Sequence, residues 1–319
     1  MFFPKIKNVL ISFVLIFLVF GSLVFIHYLS KTTEPYVDLS VRTPEIIPPD
    51  ESGQNVSVLR FAVATMWSVE STFTMYRQLS ERIAKDVGLQ ESLIIRSTYK
   101  ALRQAIENNE IYIAFVCTGP YVSLLSRGHI KLLVTPEFVN GELYHSVIIV
   151  PSDSPINSVM DLKGKTLGCS DPESFTGYII PFVMLKEQGI NPDKFFKNIV
   201  FTGSHDRSIY AVDRGIVDAA AVHSIVWESA KRDDPSLKIR LKEIWQSDMY
   251  GPPPVIVSSN LKNTFTDSLK NAFLNLNKDP EGKKILAAIG IERFVPAKEN
   301  EYISAVRLYK RYEKMRTIK

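Results

Sequence analysis

The chain of 319 residues has little of what most readily identifies a protein class. It holds only 2 cysteines, which rules out a disulfide framework as the source of its stability. It lacks an excess of charge of one sign: 38 Lys+Arg stand against 34 Asp+Glu, and the net +4 is too small for a dedicated nucleic-acid surface. The 5 histidines are scattered. No His-Glu-x-x-His, paired Cys-x-x-Cys or Gly-x-Ser-x-Gly pattern occurs, so the local signatures of zinc hydrolases and serine hydrolases are missing and no cofactor is implied. Apolar residues at 45% and charged residues at 23% sit near globular averages, which excludes both a disordered chain and a polytopic membrane protein. Part of the basic charge falls at the C-terminus, in Lys310, Arg311, Lys314, Arg316 and Lys319, and reads as a solvated helix end.

What is present begins with a hydrophobic run. Val9 to Leu29 carries no charge and is interrupted only by Ser12, Gly21, Ser22 and His27. At ~1.5 Å per residue it spans roughly 30 Å, the thickness of a bilayer's hydrocarbon core. Signal peptides have shorter apolar regions and a small-x-small cleavage site, for which Val19-Phe20-Gly21 is a poor match. Lys5 and Lys7 ahead of the run place the N-terminus in the cytoplasm and the rest outside. Residues 1–30 therefore read as an uncleaved signal anchor in the cytoplasmic membrane, with a cleaved peptide and a free periplasmic body as the alternative. No cysteine closes the run, so a lipoprotein signal is absent. Residues 31–55, with Pro35, Pro44, Pro48 and Pro49 and little apolar periodicity, read as an extended tether.

From residue 56 onward, apolar β-type runs alternate with helical patterns, the grammar of an α/β fold with largely parallel strands. The first half reads as strand Val58–Ala64, helix Phe73–Val87 stopped by Gly88, strand Leu93–Ser97, helix Tyr99–Asn108 and strand Ile111–Val116. A second set follows: strand Thr166–Cys169, helix Thr176–Gln188 stopped by Gly189, strand Asn198–Phe201, helix Asp206–Arg214 stopped by Gly215, and strand Val217–Val222. ALRQAIENNEIYIAF from Ala101 and SIYAVDRGIVDAAA from Ser208 share one pattern of short helix, tight turn and strand, which suggests two similar lobes. The runs Tyr144–Val150 and Tyr250–Val257, the second with three consecutive prolines, are the places where the chain would cross between them. The limits are then about 56–146 plus 250–319 for one lobe and 147–249 for the other, with a ligand between. Cys117 and Cys169 fall at strand ends and read as two buried core thiols.

Two segments carry candidate chemistry. Asp171-Pro172-Glu173-Ser174-Phe175-Thr176-Gly177-Tyr178 follows a strand and opens a helix. Hydroxyls and unpaired N–H groups at a helix start suit a phosphate, phosphonate, sulfate or carboxylate, although the same spacing also serves an ordinary N-cap. Gly203-Ser204-His205-Asp206 puts an imidazole in a loop after another strand, where it would donate to an oxyanion or serve only the surface. Tyr99 and Tyr144 stand beside strand ends and would each offer a phenolic hydrogen bond. An enzyme with Ser174 or Ser204 as nucleophile and His205 as base is a distant alternative.

SVIIVPSDSPINSVMDLKGKTLGCSDPESFTGYIIP (Ser146–Pro181) and FFKNIVFTGSHDRSIYAVDRGIVDAAAV (Phe195–Val222) resemble the phosphate, phosphite and phosphonate-binding proteins of ABC transporters, and the likeness runs from about Val58 to beyond Phe294. This resemblance implies a two-lobed periplasmic binding protein type II fold with a hinge between lobes, preceded here by the N-terminal hydrophobic helix. It also implies a small phosphorus oxyanion as ligand, an ABC transporter permease as partner, and no catalysis. The family's Ser-Thr-Ser-Gly helix start corresponds to Ser174, Phe175, Thr176 and Gly177, its histidine to His205, and its tyrosines to Tyr144 and Tyr99. Phe175 replaces a hydroxyl, so only its backbone N–H would serve. Ile225 and Pro252–Pro254 stand where binders of aminoalkylphosphonates have acids, which disfavours a ligand with an ammonium group. Tyr112 replaces a frequent Asp, and the Cys117-Thr118-Gly119-Pro120 loop is longer than usual. The long apolar run also leaves room for a second reading, a membrane-tethered sensory or docking module that passes its signal to a sensor protein. A fold that has lost its ligand is the remaining one, with Phe175 as its argument.

Overall fold

A computed structural model of the chain describes residues 58–141 and 144–317. The apolar run 9–29 and the tether 31–55 lie outside the described residues, among which no helix is long and apolar enough to cross a membrane.

The first sheet starts with β1 (Val58–Ala64), whose sequence VLRFAVA is buried at six of seven positions because helices cover both faces. Helix α1 (Val69–Asp86) begins where the Ser68 side chain accepts from Ser71 N–H, and it ends before Gly88, whose φ of 75° reverses the chain. Then come β2 (Gln90–Arg96), α2 (Tyr99–Glu107), β3 (Ile113–Phe115), α3 (Thr118–Leu125) and β4 (Ile130–Phe138). The chain then enters the second sheet with β5 (Ser146–Pro151) and β6 (Thr166–Cys169). A π turn over Phe175–Ile179 leads into α4 (Ile180–Glu187), followed by the short α5 (Pro192–Phe195), β7 (Asn198–Phe201) and α6 (His205–Asp213). That sheet is completed by β8 (Ala219–His223), α7 (Ser224–Asp233), the short α8 (Leu237–Arg240) and β9 (Leu241–Gln246). The chain returns with β10 (Val255–Ser258), α9 (Asn263–Asn275), α10 (Pro280–Ala288), β11 (Ile291–Pro296) and α11 (Ile303–Thr317).

The strand orders are β11-β4-β10-β3-β1-β2 and β7-β6-β8-β5-β9. Both sheets are mixed, which corrects the expectation of largely parallel strands. β1 pairs parallel with β2 and β3, and β6 with β7 and β8, as the strand and helix alternation requires. β10 and β5, the first strands after each crossing, enter from the opposite end and pair antiparallel on both sides. The two crossings touch each other through an antiparallel bridge between Tyr144 and Tyr250, in which Tyr250 N–H donates to the Tyr144 carbonyl at 2.9 Å.

Crossing 247–254 is held by the first lobe. Thr118 Oγ1 donates to the Gly251 carbonyl (3.0 Å), Tyr302 Oη to that of Pro252 (2.7 Å), and Val116 N–H to that of Pro254 (3.0 Å). Since prolines 252 to 254 have no N–H to give, their carbonyls are the only backbone groups that need partners. Gly251 leaves no room for a side chain, because a Cβ there would stand 2.8 Å from the Tyr302 ring.

Candidate functional site

The ends of β6 and β8 and the start of α6 meet the starts of α2 and α3 along a seam between the two sheets. Backbone bonds close it: His205 N–H donates to the Met66 carbonyl (3.0 Å), Ser68 N–H to Asp206 Oδ2 (3.0 Å), and Tyr99 N–H to Asp171 Oδ2 (3.2 Å). At the rim Arg103 bridges to Glu173 (2.9 Å) across the seam and to Glu107 (3.0 Å) on its own helix. Gly119, in the first turn of α3, faces the Glu173 carbonyl so closely that a Cβ would lie 2.1 Å from that oxygen. Only glycine lets the two segments approach this far.

His205 is fully buried at the first position of α6. Its Nδ1 accepts from His223 N–H at 3.1 Å, which puts the proton of the neutral ring on Nε2. Nε2 lies 3.3 Å from both Ser170 Oγ and Ser174 Oγ. Burial pushes the imidazole pKa down to about 3, with Asp206 opposing, so the ring is neutral at pH 7. Ser174 caps the π turn by accepting from Gly177 N–H at 3.0 Å. Gly177 donates to its oxygen and the protonated Nε2 of His205 cannot accept from it, so the Ser174 hydroxyl hydrogen is left to donate elsewhere.

The sequence did not point to His223, the last residue of β8. Its Nδ1 accepts from Ile225 N–H at 3.1 Å, so its proton also sits on Nε2, and that buried N–H has no partner. Burial, and then the neighbouring His205 and His145, hold its pKa well below the ordinary imidazole range. A polar residue closing a parallel strand at the sheet's carboxyl end was the available signal, since α/β sheets place ligands there.

Tyr144 is the hub of the seam. Its ring lies 4.5 Å from that of His223 and stacks at 6.5 Å on Phe175, and its hydroxyl is 3.6 Å from Cys117 Sγ and adjoins Thr118 and Thr176. The Tyr99 hydroxyl and Thr176 Oγ1 are buried without a partner. Burial, with Cys117, Asp171 and Tyr144 adding to it, raises the Tyr99 phenol well above its ordinary value, so it stays a protonated donor.

The structure thus brings Tyr99, Tyr144, Ser174, Thr176 and His205 together. Two other members of the set have different duties. Phe175 packs its buried ring edge-on against Tyr250 at 5.0 Å. Gly177 spends its N–H on Ser174, and its missing Cβ makes room for His205, whose Cε1 would be 2.9 Å away. Asp171 is the buried acid of the seam. Its two oxygens accept from Tyr99 and Glu173 N–H, and burial raises its pKa against those bonds. Tyr112 stands at the far end of β3 from the seam, and Ile225 is buried. Both cysteines are free thiols. Cys169 lies among the apolar residues of the second sheet, as expected of a core thiol, whereas Cys117 lies in the seam itself. Two surface cavities, of about 340 Å³ beside Tyr178 and Phe201 and about 480 Å³ beside Pro151 and Arg240, touch none of these groups.

Two α/β lobes joined by paired crossings, with buried hydrogen-bond donors facing one another between them, define a solute-binding protein. The chain belongs to the family described as the periplasmic phosphonate substrate-binding proteins of ABC transporters, whose model matches residues 61–302. It is 24% identical to the phosphonates-binding periplasmic protein of Escherichia coli over 251 residues, 77% of this chain and 74% of that protein. Its identity to the probable ABC transporter phosphite binding protein PhnD1 of Prochlorococcus marinus is 28% over 187 residues, 54% of this chain and 62% of that protein. The solved structure of PhnD1 with methylphosphonate shares the fold, with a TM-score of 0.74 and 22% identity over 82% of this chain and 100% of that one.

The buried imidazole makes stability depend on pH with a definite sign. As the pH falls below 6.5, the ordinary imidazole value, the unfolded chain takes up a proton that folded His205 refuses until about pH 3. Stability is therefore complete above 6.5 and is lost toward acid, at on the order of 1 kcal/mol per pH unit for this one group. Urea unfolding at pH 7, 6 and 5 should show a shallower loss for His205→Gln than for the unsubstituted chain. Equal slopes would mean that His205 is not held neutral.

Proposed function

We propose that this chain binds a small phosphorus oxyanion (phosphate, phosphite or an alkylphosphonate) between its lobes and delivers it to an ABC transporter permease. The observation that carries the reading is the set of three buried polar groups without partners, Tyr99 Oη, Thr176 Oγ1 and His223 Nε2, gathered around Tyr144. Leaving such groups unpaired costs about 1–3 kcal/mol each, a cost that an acceptor with several oxygens removes. The Ser174 and Tyr144 hydroxyls complete a shell of neutral donors, and the N–H groups at the start of the π turn add their dipoles. Charge-assisted bonds of about 1.5–3 kcal/mol each, several at once, replace the hydration of the anion. None of these groups is a carboxylate, and the buried acid of the seam, Asp171, already accepts from Tyr99 and Glu173 N–H, so an aminoalkylphosphonate fits less well than a ligand with a small apolar substituent. The family, a group of phosphonate-binding proteins, and its phosphonate- and phosphite-binding relatives support the same ligand class.

The reading is capture, not catalysis. With Nδ1 accepting from His223, His205 Nε2 carries its proton and offers Ser174 no base. Ligand would enter with the lobes apart and close them about the Tyr144–Tyr250 bridge, with residues 56–146 and 250–319 moving against 147–249. The apolar run 9–29 would hold this body at the outer face of the cytoplasmic membrane. Alkaline extraction of membranes should then leave the chain in the pellet, and its release with the soluble periplasmic fraction would contradict the anchor.

A thermal-shift titration with phosphate, phosphite, methylphosphonate, 2-aminoethylphosphonate and sulfate tests the site. Ligand at ~100 times its dissociation constant adds about 2.7 kcal/mol of apparent stability. Thr176→Val keeps the shape and deletes a hydroxyl with no partner, so the unliganded midpoint should hold while affinity for the preferred phosphorus oxyanion drops by roughly tenfold or more. Stabilisation by none of the five would overturn the reading, and binding unaffected by Thr176→Val would remove Thr176 from the site.

A further inference from the structure

The loop from β3 to α3 puts a sulfur atom among the donors. Cys117 is fully buried at the N-cap of α3, with its Sγ 3.6 Å from Tyr144 Oη. The backbone N–H groups of Gly119, from its own lobe, and Phe175, from the other, adjoin it, and so does the Tyr99 hydroxyl. That hydroxyl is fully buried and has no partner at full hydrogen-bond geometry, so the thiol beside it is at most a weak acceptor. Cys169 supplies the contrast. It is equally buried, but it lies in the apolar core of the second sheet, and burial alone raises its thiol pKa.

We infer that Cys117 is a specificity-determining residue of the cleft, one that favours oxyanions carrying a carbon or hydrogen substituent over those with a fourth oxygen. This rests on the reading of the cleft as a phosphorus-oxyanion site. An anion accepting from Tyr99, Tyr144 and the Phe175 amide must lie against this sulfur, because the same donors surround both. A thiol is a weak donor and a weak acceptor, and its sulfur is large and polarisable. A P–CH3 or P–H group set against it forfeits nothing. With the Tyr99, Tyr144 and Phe175 donors taken by the other oxygens, a P–OH or P–O⁻ group set there gives up strong hydrogen bonds to water and gains from the sulfur only S–H in return. A buried polar group left without a strong partner is the more powerful form of discrimination, since loss of a methylene contact costs much less. The Phe175 ring, stacked on Tyr144, presents no further donor from the other lobe.

The test is titration calorimetry of the purified full-length chain with methylphosphonate, phosphite and phosphate, repeated on Cys117→Ser, Cys117→Ala and Cys169→Ser. The unsubstituted chain should prefer methylphosphonate or phosphite to phosphate. Cys117→Ser, which exchanges a weak donor for a strong one of similar shape, should move the methylphosphonate-to-phosphate affinity ratio toward phosphate by roughly tenfold or more. Cys117→Ala should not produce that gain, and Cys169→Ser should leave the ratio unchanged. A Cys117→Ser variant that alters both affinities by the same factor, or neither, overturns the inference and returns Cys117 to a packing role while leaving the ligand class intact. If the unsubstituted chain binds none of the three, the reading of the cleft fails and the inference fails with it.

Discussion

Two bonds between backbone N–H groups and imidazole nitrogens decide what the cleft can do. His223 N–H occupies Nδ1 of His205, and Ile225 N–H occupies Nδ1 of His223. Each bond fixes a tautomer and leaves Nε2 protonated. Because burial also keeps both rings uncharged, the site holds two neutral donors where two cations or two acceptors would otherwise be available. Both bonds exist because β8 ends at His223 and α7 starts at the next residue, so the strand-to-helix turn itself points these amides at the rings.

An anion site made of neutral donors has a consequence for selectivity and for electrostatics. The arginines at the rim, Arg103 and Arg207, are in ion pairs with Glu173 and Glu107 and with Glu70. They hold the two sides of the seam together, and in the proposed site the charge of a ligand would be met by dipoles inside it. Dipoles fixed by backbone geometry need no reorganisation when an anion arrives, and they are worth more away from water than the same groups on the surface. The sulfur of Cys117 and the phenyl ring of Phe175 limit how many donors there are, so the site is graded from donor-rich on the Ser174 and His223 side to soft on the Cys117 side.

Much of the framework was legible because it rests on local patterns. Strands 58–64, 166–169 and 198–201 appear where their apolar runs stand, and Gly88 and Gly189 end their helices with positive φ. Strand direction was not legible, since the antiparallel pairing of β5 and β10 comes from the chain re-entering each lobe from the opposite end. β9 and β11 were missed because they are partly exposed and charged, as in LKEIWQ and IERFVP, with no strong period of their own, and β4, IKLLVTPEF, was missed although most of it is buried. In the cleft, Ser174 and Thr176 were visible from helix-start chemistry, and His205, Tyr99 and Tyr144 from their places beside strand ends, to which the family resemblance then added. His223 and the role of Cys117 were hidden. Each sits one residue beyond a buried strand's apolar run or at its end, and which strand ends meet across the seam is known only once both sheets are assembled.

Long-range proton–nitrogen correlation spectra of the histidine side chains examine the two fixed imidazoles directly. At pH 7, His205 and His223 should both show a protonated Nε2 and an unprotonated Nδ1. Addition of methylphosphonate should move the Nε2 resonance of His223 as its free N–H finds an acceptor. A ring protonated on Nδ1, a charged imidazolium at either position, or an Nε2 signal of His223 indifferent to every phosphorus oxyanion would contradict the account.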